Sequence, residues 1–110
     1  MPLHFGDIVL IEVPFHQVQG SKIRPATVVL DSGDEDFVAA PITSRPGAAE
    51  FDLVLQDWRN AGLNVPSTVR LHKIAVLSKA IIRRTVGRLA ATDLASVHAK
   101  LCRAFCPDQV

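Results

Sequence analysis

The feature that most narrows the fold is a change of period along the chain: seven short β-prone runs, each closed by turn residues, precede one segment with helical spacing. Residues 8–13 (Ile-Val-Leu-Ile-Glu-Val) follow Gly6-Asp7 and stop at Pro14, which cannot donate to a central ladder. Residues 26–30 are rich in β-branched side chains, and the acidic turn 31–36 leads from them to a hairpin partner at 37–40. Further strands are predicted at 51–55, 68–71, 74–77 and 81–89, the last bent near Gly87. The pattern then changes: Thr92 is placed to cap a helix, and Leu94, Val97, Leu101, Ala104 and Phe105 recur at helical spacing before Pro107 ends it. Turns or short helical pieces are expected around 78–80 and 56–62. Strands in this order suit a small barrel or sandwich, with the helix closing one face in an α+β, mainly β arrangement.

The length of 110 residues fits a single domain spanning 1–110, with little room for a deep, enclosed cavity. With 48% hydrophobic and 21% charged residues, the chain is of globular type. No apolar run approaches the ~20 residues of a membrane span, and the first residues lack signal-peptide features, so a cytoplasmic location without membrane contact is expected. The two cysteines, Cys102 and Cys106, do not make a disulfide framework. With His98 they share one helix face, but ligands on one straight helix cannot easily surround an ion. We expect partly buried helix residues there, and neither a metal nor another cofactor.

Charge is distributed unevenly. Residues 1–60 carry 4 Lys/Arg against 9 Asp/Glu, and residues 61–110 carry 8 against 2, giving −5 and +6. Such asymmetry is compatible with an electropositive face for phosphates or an acidic segment, and equally with mixed surface charge. Between Pro14 and Pro25 lies a polar connection holding His16, Gln17, Gln19, Ser21, Lys22 and Arg24, longer than a tight hairpin needs.

The order Gly6-Asp7-Ile8-Val9-Leu10, a polar loop, Gly20-Ser21-Lys22-Ile23-Arg24-Pro25-Ala26-Thr27-Val28-Val29, then Ala40-Pro41-Ile42-Thr43-Ser44 resembles the MazF/PemK toxins. Ser67-Thr68-Val69-Arg70-Leu71, Lys73-Ile74 and Val86-Gly87-Arg88-Leu89 continue the resemblance, which covers about residues 6–105. It implies an SH3-like barrel with a C-terminal helix, usually a homodimer, paired with an antitoxin whose disordered acidic tail wraps the toxin. It also implies a metal-independent endoribonuclease that cuts single-stranded RNA. In that reaction the ribose 2′-hydroxyl attacks the adjacent phosphate, leaving a cyclic phosphate and a 5′-hydroxyl.

That chemistry needs a base, an acid and donors for the phosphate oxygens as charge builds. Arg24 matches the family's arginine before proline, and its planar fork suits phosphate stabilisation better than proton transfer. Thr43 matches the second active-site position and would offer a hydroxyl, with Ser44 beside it. In PemK-type members a Val-Arg-x-Asp segment supplies an arginine and a carboxylate. Here Val69-Arg70-Leu71-His72 retains Arg70 and sets His72 where the aspartate would stand. Strand alternation would put both on one face, where His72 is a candidate base or acid, or simply a surface residue. His16, Ser21 and Lys22 are candidate RNA contacts in the first loop.

With 5 Phe, no Tyr and Trp58 as the one tryptophan, base recognition by an aromatic platform is not expected, and Trp58 is expected to pack on the barrel. A different class of function on the same barrel is a CcdB-like binding protein that poisons gyrase, or a relative without catalysis. The pairing of Arg24 with Thr43 favours cleavage.

Overall fold

The computed structural model describes residues 2–14, 20–45, 47 and 49–106, apart from the side chains of residues 14 and 21. Within them lie β1 (Asp7–Pro14), β2 (Ser21–Leu30), β3 (Asp36–Thr43), β4 (Asp52–Val54), β5 (Thr68–Arg70), β6 (Ala75–Ser78), β7 (Ile82–Arg88) and α1 (Ala91–Phe105). Short 3₁₀ turns cover Leu71–Lys73 and Lys79–Ile81. All seven strands join one antiparallel sheet in the order β4-β5-β3-β2-β1-β7, with β6 also on β3. The expected α+β, mainly β class is the one observed.

Strand β1 explains itself physically. Its apolar run is almost unbroken because alternate residues enter different cores. Ile8 packs with Ala40, Ile42, Val69 and Leu71 in a cluster that also receives Leu94, Val97 and Leu101 of α1. Val9 and Ile11 pack with Ala26, Val28, Phe37 and Ala39. Trp58 lies against the helix-side cluster, as expected, with Arg59 stacked over its ring at 4.9 Å.

Several boundaries differ from expectation. Strand β2 begins at Ser21 rather than Ala26, because Ser21 to Arg24 continue the ladder against Pro14 to Ile11. Strand β3 runs on to Thr43, since Ile42 and Thr43 pair with Val69 and Thr68 of β5. The short 3₁₀ turn at Lys79–Ile81 is started by Ser78, whose Oγ accepts the Ala80 N–H. Thr92 does not cap α1: Ala90 is the N-cap and Thr92 is already helical. The carboxylate of Asp93, one residue on, turns instead to the loop after β4. Cys102 and Cys106 are exposed rather than partly buried, as is His98 on the same face, because the buried side of α1 is set by Asp93 and Val97. Phe105 is exposed as well. Pro107 lies outside the described residues.

Asp31 ties three segments together at the start of the β2–β3 connection. Lys79 Nζ lies 2.8 Å from its Oδ1, the Leu3 N–H donates to Oδ2 and the Gly33 N–H to Oδ1. The Lys79 hydrogen bond, followed by the two backbone donors, holds the Asp31 carboxyl down at about 2, against an ordinary 3.8.

Candidate functional site

The β2–β3 ladder stops at Ala26–Pro41. Pro25 and Pro41 stand in adjacent registers, so one of the two withholds an N–H from this ladder at its end. The two strands part there, and continuing the same register on paper sets Arg24 across from Thr43. Both line a cleft of about 720 Å³ that opens at this point.

The cleft is cationic. Lys22, Arg24, Arg45, Arg70 and Arg84 line it, drawn from β2, the end of β3, β5 and β7, and no Asp or Glu is among its described lining residues. The chain's positive second half is thus joined in space by Lys22, Arg24 and Arg45 from its acidic first half. Hydroxyls come from Thr43, Ser44 and Ser67. Thr43 Oγ1 accepts the Arg45 N–H at 3.1 Å, which fixes the rotamer and leaves its own O–H to donate into the cleft.

Of the residues singled out in the sequence, Lys22, Arg24, Thr43, Ser44 and Arg70 come together here. His16 lies outside the described residues, as does the Ser21 side chain, although the Ser21 backbone pairs with Pro14. His72 is not among the lining residues. Strand alternation does not relate it to Arg70, because β5 ends at Arg70 and His72 belongs to the following 3₁₀ turn. A shared carboxylate connects them instead. Asp52 of β4 accepts from Arg70 Nε at 3.2 Å, and His72 Nδ1 stands 3.7 Å from the same Oδ1. The Asp52 side chain is only 2% exposed, and its other oxygen accepts the Ala49 N–H.

Asp52 is therefore the group that sequence reasoning missed. It occupies one end of the Arg70 guanidinium and leaves the Nη atoms for the cleft. Arg45 and Arg84 were missed too, since neither belongs to a matched motif. The one available signal for Arg84 was the register: Leu10, paired with both Pro25 and Arg84, lines the same cleft.

The remaining border is the loop after β4. Gly62 has φ +93°, and a Cβ there would fall 2.4 Å from the Val86 carbonyl oxygen. The close contact between this loop and β7 needs glycine at that point. Among the described residues no group of three or more His, Cys, Asp or Glu is placed to hold a metal ion. No helix among them is long and apolar enough to cross a membrane.

Comparison with known proteins is decisive for the family. The model of the PemK-like, MazF-like toxins of type II toxin-antitoxin systems matches residues 4–105. The chain belongs to this family. Its fold is also that of solved structures. An endoribonuclease in complex with its cognate antitoxin from a mycobacterial species superposes with a TM-score of 0.79 at 16% identity, over 99% of this chain and 100% of that one. A chain of the MazE–MazF (Form-III) structure from Deinococcus radiodurans gives 0.75 at 24% identity, over 97% and 98%. The Mycobacterium tuberculosis toxin MazF-mt6 gives 0.70 at 19%, over 92% and 99%. No curated protein sequence matches significantly. In this MazF/PemK-type toxin the cleft lies where Arg24-Pro25 and Ile42-Thr43-Ser44 converge.

Proposed function

We propose that this toxin is an endoribonuclease that cuts single-stranded RNA without a metal ion. The observation that carries the reading is the cleft itself: five cationic side chains line it together with Thr43, and no Asp or Glu is among its described lining residues to repel phosphate. Arg24 and Arg70 bind the scissile phosphate and stabilise charge as the 2′-hydroxyl attacks, which leaves a cyclic phosphate and a 5′-hydroxyl. Thr43 donates to a phosphate oxygen, with Ser44 next to it. Lys22, Arg45 and Arg84 hold neighbouring phosphates, and Ser21 and His16 extend the track toward the first loop. His72 is the described histidine that shares a partner, Asp52, with a cleft-lining residue. It is our assignment for proton transfer, with Asp52 orienting it.

Solved relatives support this: two are endoribonucleases from mycobacterial species, one of them in complex with its cognate antitoxin, and another is a MazE–MazF structure. We propose further that the chain is inhibited by an antitoxin, as the complexed relative suggests, and that it acts as a dimer in the cytoplasm. The antitoxin's acidic tail would compete for the cationic cleft.

The test is incubation of the protein with a long single-stranded RNA in excess EDTA, beside Arg24→Ala. Products with 5′-hydroxyl ends, reduced at least about a hundredfold in the variant, are expected for the loss of a charged transition-state donor. Equal cleavage by both proteins refutes the role of Arg24. Absence of cleavage by folded protein points to the CcdB-like binding class. For His72, a His72→Ala variant with an unchanged rate and pH profile removes it from the mechanism.

A further inference from the structure

The lining of the cleft is of two kinds. The cations occupy strands and strand ends, whereas one loop segment, residues 62–67, supplies only neutral groups: Gly62, Leu63, Asn64, Val65 and Ser67. A nucleotide is divided in the same way, into an anionic phosphate and a neutral base.

This segment is held firmly. The Gly62 N–H donates to the Arg59 carbonyl at 3.1 Å, the Leu63 N–H to the Trp58 carbonyl at 3.1 Å, and the Leu55 N–H to the Ser67 carbonyl at 2.9 Å. Ser67 Oγ donates to the Val65 carbonyl at 2.8 Å, so its hydrogen is spent within the loop. Within the whole loop the three side-chain amides behave differently. Gln56 Nε2 donates back to the Val54 carbonyl at 3.5 Å. Asn60 gives its amide to both Asp57 oxygens, at 2.9 and 2.8 Å. Asn64 is exposed, lines the cleft, and its amide makes no hydrogen bond to any described residue. An unused donor–acceptor pair on a rigid support is what base-edge recognition requires, and no aromatic side chain is among the described lining residues.

We propose that Asn64 is a specificity-determining residue that reads the edge of a base beside the phosphate bound by Arg24. This rests on the reading of the cleft as a single-stranded RNA site. The cations fix where the strand lies and contribute affinity without sequence information, while the Asn64 amide selects among bases at one position.

Selection and cleavage are measured separately. Random octaribonucleotides with 2′-O-methyl groups, which cannot be cut, are bound by wild type, Asn64→Ala and Asn64→Asp, and the bound fraction is sequenced. In parallel, cut sites in a long unmodified RNA are mapped. Wild type is expected to prefer particular bases at one position, by roughly tenfold to a hundredfold for one amide pair. Asn64→Ala flattens that position and leaves the salt dependence of binding unchanged, because no cation is lost. Asn64→Asp keeps acceptors and loses the donor, so its preference moves toward bases that present an amino group. The same positional changes are expected among mapped cut sites.

Identical preference in all three proteins, or no preference in wild type, overturns the proposal for Asn64 while leaving the ribonuclease reading intact. Wild type that neither binds nor cuts RNA overturns both. Thermal unfolding of the three proteins is expected to coincide, since the side chain is exposed and unbonded; a large loss of stability on replacing it would assign Asn64 a structural role.

Discussion

Asp93 links the helix to the cleft, and its replacement tests whether the loop beside Arg24 is held from outside the sheet. The side chain is 1% exposed and meets no cation among the described residues. Its two oxygens accept the Gln56 and Asp57 N–H groups, each at 2.9 Å, and it lies in the first turn of α1, where the helix dipole favours negative charge. A hydrogen bond to a charged group contributes about 1.5–3 kcal/mol. Asp93→Ala removes both bonds and leaves two inward N–H groups unpaired, a cost of about 3–5 kcal/mol. Asp93→Asn keeps one acceptor and the shape, so about half of that loss is expected.

For a chain of 110 residues, 1 kcal/mol corresponds to about 4 °C in Tm, so the alanine variant should melt about 12–20 °C lower and the asparagine variant roughly midway. Thermal unfolding by circular dichroism at neutral pH gives these shifts. Amide exchange at Gln56 and Asp57 shows whether the loop is released before the sheet, which is the local consequence expected. A drop of less than about 4 °C in the alanine variant, with protection at both amides intact, would refute the clamp, since two charge-assisted bonds cannot be lost so cheaply.

Gly33 and Gly62 share a positive φ, +95° and +93°, but a Cβ at Gly33 meets nothing within 4 Å whereas one at Gly62 strikes the Val86 carbonyl. Urea unfolding should therefore show about 1 kcal/mol lost in Gly33→Ala and clearly more in Gly62→Ala; equal losses would mean that the loop moves freely off β7. Asp52→Asn removes the charge that fixes Arg70, and the expected result is about a tenfold lower cleavage rate with Arg24 intact. An unchanged rate would show that Arg70 needs no such support. For Asp31 the folded pKa of about 2 lies below the unfolded 3.8, so its stabilising contribution is full above about pH 4 and is lost as pH falls through 2. Wild type should exceed Asp31→Asn in stability at pH 5 and converge with it near pH 2, as followed by denaturation midpoints; a constant difference would contradict the linkage.

The strands were legible because their signal is local: β-branched runs closed by Gly, Pro and Asp. What escaped depended on partners distant in sequence. Ser21 to Arg24 look like polar loop, and only the facing residues Ile11 to Pro14 make them strand. Thr92 has the chemistry of a cap, yet the helix starts earlier and Asp93 is drawn to amides 36 and 37 residues away. His72 stands two residues after Arg70, which predicts a common face only if the strand continues. The chain turns into a 3₁₀ segment there, and the two side chains meet through Asp52 on another strand.

Arg24 and Thr43 were singled out from motifs that are short and individually weak, and the sheet gives the prolines of those motifs a physical role. A strand pair that remained bonded beyond Ala26–Pro41 would fill the space between Arg24 and Thr43 with its own hydrogen bonds. Pro25 and Pro41 lie in adjacent registers, and the one whose nitrogen faces the partner strand removes a donor at this ladder end. The gap is then bordered by a guanidinium on one strand and a hydroxyl on the other, and β5, paired with Ile42 and Thr43, brings Arg70 to the same cleft. The Arg-Pro and Pro-Ile-Thr-Ser sequences are thus two sides of one ladder end. Their order in the chain predicts little alone, but antiparallel pairing turns a separation of nineteen residues into a facing pair, from which the cationic cleft is built outward.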